Sequence, residues 1–331
     1  MGDPETGSSL SDIVDSGWEV IDGHVHFYSY NYFRLISQFP GGYGEDIDQF
    51  IRRQTRRLKI DLPPAEPTRL GERWILQLDR YGVSRACLLA GLPGDEYSVG
   101  EVARNWPKRF ITFISANPFL DVTEDIIEHA VHANGIKGIY LHPCLNRFHA
   151  ADERVYPLYR LARRLHLVVY IDYGPAYGDV AAFWGAISNH DPLFNDPAQL
   201  HFAAADFPTV NFVITHFCQS VLPEVLRLGF LCPNVYLSAF PVDDIYECEY
   251  GPAHFDHLLE MALRAFGHTR IIFGTGSGVL PRGWRSDKFR AFLAALKTLD
   301  VSHEHVGMIL GGNLKRIFHL EDRDQSYLLT L

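Results

Sequence analysis

The chain has 331 residues, 47% of them hydrophobic and 21% charged, which is enough apolar content for a large core and excludes default disorder. Lys and Arg total 30 against 40 Asp and Glu; the net charge of −10 argues against nucleic acid as a bulk partner and leaves room for local basic patches. Five cysteines (Cys87, Cys144, Cys218, Cys232 and Cys248) are odd in number and lack CxxC spacing, so they read as reduced thiols of a cytoplasmic protein, not a disulfide framework or zinc finger.

Residues 1–17 read as a disordered tail. Their acidic, polar start lacks the basic and apolar regions of a signal peptide. Met1-Gly2 with Thr6 fits the bare myristoylation pattern, which is weak beside Asp3-Pro4. No apolar run approaches the ~18 residues of a membrane span, so no membrane partner is expected.

Strand 1 is expected at Glu19-Val20-Ile21, leading into Asp22-Gly23-His24-Val25-His26. Thr68 can cap a helix through Tyr81, with Gly82 as its stop, and strand 2 follows at residues 86–90. Strand 3 falls at 110–115, a helix at 124–133, strand 4 at 138–141, a helix at 156–164 and strand 5 at 168–171. Asp196-Pro197 is an N-cap and first-turn pair for a helix to about Asp206. Strand 6 at 211–215, a helix at 223–228, strand 7 at 235–237, a helix at 254–266 and strand 8 at 270–273 complete the set.

These eight strands are continuous apolar runs, as expected when both faces are buried, and nearly all are followed by a helix. The pattern predicts an α/β fold: a single (β/α)8 TIM barrel over residues 18–320, with a C-terminal tail at 321–331. A doubly wound open sheet is the runner-up, but it would want a glycine-rich turn where Asp22-Gly23-His24 stands. Residues 31–67 form an insertion after strand 1, on the side where active-site lids sit.

Several of the sixteen histidines fall at the C-terminal ends of strands, the catalytic mouth of a barrel. His24 and His26 alternate along strand 1, so both imidazoles can face one point and anchor a divalent metal. His142 ends strand 4, Asp172 ends strand 5 and His216 ends strand 6. Cys218, two residues further on, suits packing better than ligation.

The segments Ile21-Asp22-Gly23-His24-Val25-His26, Lys137-Gly138-Ile139-Tyr140-Leu141-His142-Pro143, Phe212-Val213-Ile214-Thr215-His216, Arg270-Ile271-Ile272-Phe273-Gly274-Thr275 and Leu310-Gly311-Gly312-Asn313-Leu314-Lys315-Arg316-Ile317-Phe318 resemble the amidohydrolase superfamily, in its amidohydrolase-2 branch of hydrolases and decarboxylases. The resemblance spans Val20 to Phe318 and implies a TIM barrel with a metal centre at its mouth. It implies that His24 and His26 are ligands and that His216 binds metal or polarises substrate. Two positions depart from the family. Strand 5 usually carries His, and here it carries Asp172; strand 8 usually carries Asp, and here it carries Gly276. In the family that Asp binds metal and acts as base, and glycine can do neither.

His24, His26 and Asp172 make a two-histidine, one-carboxylate set, which suits non-heme iron and dioxygen. His142 and His216 could hold a second ion, with Glu247, Glu249 or His254 as further donors. This arrangement resembles the superfamily's non-heme diiron monooxygenases, which act on CoA-linked acids. The first expectation is therefore a monooxygenase with one or two Fe ions bound at His24, His26, His142, Asp172 and His216. Asp172 and His216 would be catalytic, hydroxylating a small organic acid or its CoA thioester with dioxygen. Zn or Mn would accept much of the same set. The alternatives are a hydrolase or decarboxylase that recruits Asp243 or Asp244 as base, and a non-catalytic binding protein. A homodimer is left open.

The loop Gly274-Thr275-Gly276-Ser277-Gly278 is too short of spaced glycines for a dinucleotide fingerprint, although Arg282 and Arg285 could help it hold an anion. Arg52-Arg53-Gln54-Thr55-Arg56-Arg57-Leu58-Lys59 puts five cations in eight residues. Arg53 and Arg57 could grip the phosphates of a CoA handle, or the run is a solvated helix face. Phe27, Tyr28, Tyr30, Tyr32 and Phe33 could line an apolar pocket beside the metal or pack a lid. No GxSxG elbow or Walker sequence is present.

Overall fold

The computed structural model describes residues 17–38, 46–121, 123–173, 190–218, 221–239 and 255–320. Eight strands lie in chain order: β1 Ile21–Phe27, β2 Arg85–Ala90, β3 Phe110–Ala116, β4 Gly138–Leu141, β5 Val168–Ile171, β6 Phe212–Ile214, β7 Val235–Ala239 and β8 Ile271–Phe273. Each pairs in parallel with its sequence neighbour, so the expected (β/α)8 barrel is the fold. Closure is made just beyond β8. Val25 bridges Ser277, His26 N–H donates to Ser277 O at 2.7 Å, and Gly276 N–H donates to His24 O at 2.9 Å.

The continuous apolar runs have a simple cause. One side of each strand packs inside the barrel, where Ile21, Cys87, Phe113, Tyr140, Tyr170 and Ile272 form one cluster. The other side packs under the helices, where Val25, Leu88, Ile139, Val169 and Leu237 belong to the main core. Leu314, Ile317 and Phe318 of the last helix join the inner cluster. The described cysteines Cys87, Cys144 and Cys232 are buried free thiols. Among the described residues, no helix is long and apolar enough to cross a membrane.

Most boundaries fall within a residue or two of expectation, and the exceptions are instructive. The first helix after the insertion spans Pro67–Arg80, with Glu66 and not Thr68 at its cap. Proline has its φ already set for the first helical position and lacks the N–H that a cap would satisfy. It stops as expected at Gly82, with φ 67°. Asp196 does cap, accepting from Ala198 N–H at 3.2 Å, but over a 3-10 turn at Pro197–Gln199; the α-helix is Leu200–Asp206.

The insertion holds two helices, α1 Tyr30–Ser37 and α2 Ile47–Leu58, capped by Ser29 and Asp46. They share a small core of Tyr32, Phe33, Ile36, Phe50 and Ile51 with Leu92 from the loop after β2. A buried carboxylate pins this layer to the barrel. Asp95 accepts from Ser29 Oγ at 2.9 and 2.8 Å, from Ser98 Oγ at 2.5 Å and from Asn31 Nδ2 at 3.1 Å. Burial outweighs these donors and raises its pKa from 3.8 to about 6.

A raised carboxyl pKa means that the neutral form is the better folded one. Its contribution to stability is complete below about pH 4 and is lost as pH rises through about 6. Removing the titration should therefore help most at neutral pH. Denaturant unfolding of Asp95→Asn and wild type should show their difference moving in the variant's favour by roughly 3 kcal/mol between pH 4 and 7. A difference that stays flat across this range would contradict the assignment.

Candidate metal centre

Alternation along β1 turns His24 and His26 to the same side of the strand, and each Nε2 faces the other at 3.2 Å. His216 lies two residues past the end of β6. Its ring centroid lies 4.5 Å from that of His24 and 5.9 Å from that of His26. The chain reaches this position through two consecutive left-handed residues, His216 (φ 60°) and Phe217 (φ 55°). Such conformations are uncommon without glycine and gather at functional sites, where packing over-determines them. Here the packing comes from Phe217, which is fully buried and meets Phe255 edge-on at 5.7 Å.

Each of the three imidazoles offers a nitrogen, and these atoms all lie within 4.8 Å of one another. Two nitrogens bound at about 2.0–2.1 Å to a single ion, at tetrahedral or octahedral angles, stand about 2.8–3.4 Å apart. The His24–His26 separation falls inside that range. Burial, then the neighbouring His216, hold His24 well below the usual histidine pKa and His26 down to about 3. Both rings are therefore neutral and keep a lone pair for a metal. The donor set fits a divalent ion.

Asp172 stands directly beside this cup. Its backbone N–H extends the β4–β5 ladder to Leu141 O at 2.9 Å. Its Oδ2 accepts the Tyr140 hydroxyl at 2.5 Å and lies 3.5 Å from His216 Nε2 and 3.8 Å from His142 Nδ1. Burial alone would raise this carboxyl, but His216, His142 and Tyr140 outweigh it and hold the pKa well below the usual range. Asp172 is thus a buried anion. Its Oδ1 has no hydrogen-bond partner among the described residues. His142, next in line, is itself lowered by burial.

The position where the family carries its strand-8 aspartate is occupied differently. Gly276 has φ 63°, a conformation that favours glycine, and its backbone N–H serves barrel closure at His24 O. The carboxylate of this site comes from β5 instead.

The aromatic run after the histidines divides. Tyr28 stacks on His26 with centroids 5.2 Å apart and planes at 4°, whereas Tyr32 and Phe33 build the lid core. Phe27 belongs to the main core, and Tyr30 donates to Asp48. Arg282 is exposed, and its charge acts on Tyr28, which puts it at the rim. Arg285 is bound to Asp287 at 2.7 Å and its N–H donates to Ser277 Oγ at 3.0 Å. Arg53 and Arg57 are exposed on α2. Arg53 lies over the Phe50 ring at 5.6 Å and Arg57 donates to Gln54 at 2.7 Å. Asp243, Asp244, Glu247, Glu249 and His254 lie outside the described residues, as does the side chain of Cys218.

Two participants escaped sequence reasoning. Tyr140 shares the inward parity of His142, so alternation along β4 could have found it. Lys288 is only 6% exposed and its charge depresses both His24 and His26. A lysine in the first turn of a helix reads as a surface residue, and nothing in the sequence signals its burial.

A cup of three imidazoles with an adjacent anion, set at the mouth of eight parallel strands, is the arrangement of a metal-dependent barrel enzyme. The chain belongs to the amidohydrolase family, whose model matches residues 21–320. Solved structures agree on the fold. A TIM-barrel protein from Bordetella bronchiseptica aligns at TM-score 0.61 and 20% identity, covering 91% of this chain and 98% of that one. The 5-carboxyvanillate decarboxylase of Novosphingobium aromaticivorans, with bound manganese and a nitrobenzoic acid, aligns at TM-score 0.62 and 14% identity over 92% and 98% of the two chains. The 4-oxalomesaconate hydratase of Rhodopseudomonas palustris aligns at TM-score 0.57 and 15% identity over 91% and 95%. A search of curated proteins returned no significant match.

Replacing one imidazole of three should cripple ion binding. His24→Ala, His26→Ala and His216→Ala should each lose at least ~100-fold in Mn2+ or Zn2+ affinity by calorimetric titration, while Arg53→Ala stays within about twofold. Undiminished binding in the three histidine variants would remove the cup as the metal site.

Proposed function

We propose that this protein is a divalent-metal-dependent lyase or hydrolase acting on a small organic acid. The ion is held by His24, His26 and His216, and Asp172 takes the acid–base role that Gly276 cannot fill. The observation that carries the reading is the position and charge of Asp172, a buried anion 3.5 Å from His216 Nε2. Two structural relatives, a decarboxylase and a hydratase, support this class of chemistry.

The ion, when bound, supplies electrophilic polarisation of a substrate oxygen or of water. The chain supplies the rest. Asp172, ionised and accepting at Oδ2, is able to take a proton at Oδ1. His142 Nδ1, 3.8 Å from Oδ2, is the neighbouring group for onward transfer. Tyr28 forms a flat apolar wall against His26, and Arg282 at the rim offers a cation to a carboxylate.

A second reading has a specific observation behind it. Asp172 and His142 lie beyond the three-imidazole cup and could serve another ion. The iron-dependent monooxygenase of a free or CoA-linked acid, using dioxygen, rests on that pair.

Protein loaded with Mn2+, Zn2+ or Fe2+ can be assayed under nitrogen against a panel of carboxylic acids for CO2 release, hydration and hydrolysis. Turnover should vanish with a chelator, return with metal, and fall at least ~100-fold in Asp172→Asn. Hydroxylation coupled to oxygen uptake, with no anaerobic turnover, would replace this reading with the second one.

A further inference from the structure

The Asp172 carboxylate ends a short side chain just past a strand, and its terminal torsion is intrinsically broad. His142 and His216 approach it only at 3.8 and 3.5 Å, so the hydrogen bond from Tyr140 at 2.5 Å is the tightest grip on it.

Tyr140 is itself firmly placed. It lies on β4 opposite Tyr170 of β5 and is fully buried. Its ring stands edge-on to His24, with centroids at 6.3 Å and planes at 90°, and leans on His142 at 4.2 Å. Thr215, the residue before His216, lies against the Tyr140 hydroxyl while its own Oγ1 donates to Ile171 O at 3.4 Å. The Tyr140 hydroxyl donates to Asp172 Oδ2, and a carboxylate oxygen accepts. Tyr140 on β4 thus donates to Asp172 just past β5, and Thr215 just past β6 stands beside the same hydroxyl.

We propose that Tyr140 is a positioning residue of the metal centre: its hydroxyl, with Thr215 beside it, fixes the Asp172 carboxylate beside His216 and so sets how that carboxylate meets the bound ion. The proposal rests on the reading of Asp172 given above. It goes beyond core filling, although Tyr140 does belong to the inner barrel cluster with Cys87, Phe113 and Tyr170. If filling space were its whole role, phenylalanine would serve equally well.

The test uses the full chain and Co2+ alone, so that it needs no substrate. The visible absorption spectrum of bound Co2+ and its affinity are measured for wild type, Tyr140→Phe, Thr215→Val and Asp172→Asn. Tyr140→Phe should change the band positions or intensities and weaken Co2+ binding about 10-fold, as loss of an outer hydrogen-bond partner does at metal sites. Thr215→Val should shift both readouts the same way by less, and it carries the same expectation should Tyr140→Phe fail to fold. Wild-type spectra and affinities in both variants would overturn the proposal. If Asp172→Asn alone then alters the cobalt signal, only the positioning role falls. If Asp172→Asn is also silent, the carboxylate does not act on the ion at all and the positioning role falls for want of a target, while the acid–base reading falls only with undiminished turnover of Asp172→Asn.

Discussion

One carboxylate that never meets solvent ties the two ends of the barrel together. Asp22, near the start of β1, accepts from His24 N–H at 2.9 Å, Thr275 N–H at 3.1 Å, Thr275 Oγ1 at 2.5 Å and Trp284 Nε1 at 2.7 Å. Three of those donors lie beyond β8, so the bonds cross the seam where the sheet must close. Burial still dominates and raises Asp22 to about 6. Removing such an acceptor leaves several donors buried and unpaired, and each costs about 1–3 kcal/mol. Close approach is the other requirement. A Cβ at Gly274 would sit 2.8 Å from the Cβ of His24, so this part of the seam tolerates only glycine.

His24 and His26 ride on that seam. His24 gives its N–H to Asp22 and its carbonyl to Gly276, and His26 gives its N–H to Ser277. The backbone carrying both imidazoles is therefore fixed by the bonds that close the barrel, and closure and site are one structural problem. This accounts for the way the strand-8 position is used. Gly276, in a left-handed conformation, spends its N–H on closure and has no side chain to offer the site. The negative charge moves to β5, where Tyr140 and His142 stand behind it and His216 stands before it.

Much of this was legible in the sequence because it is local. A strand buried on both faces reads as a continuous apolar run, and eight such runs spaced by helices leave few folds open. His24 and His26 share a face by alternation, and Asp172 and His216 are legible as the residues where apolar runs stop. What escaped depends on long-range packing. The insertion helices bury Phe33 and Phe50 in a cluster completed by Leu92 from the loop after β2, a partner that neither segment announces. The basic run at residues 52–59 reads equally as grip or as solvated face until α2 is placed, and its Arg53 and Arg57 prove exposed. Lys288 escaped because burial of a charge is decided by its surroundings alone.

Lys288 also bears on why the cup disfavours a proton. Protons and metal ions compete for the same imidazole lone pairs. Burial disfavours the protonated rings, and the Lys288 cation adds to that penalty at both His24 and His26. The same cation repels an incoming divalent ion, so the site needs a compensating anion close by. Asp172 is that anion. Its charge works in the opposite sense to Lys288 at both histidines, and its own ionisation is secured by His216, His142 and Tyr140. His24 and His26 thus stand between one buried cation that lowers their pKa and one anion that raises it, so losing Asp172 would push both further down.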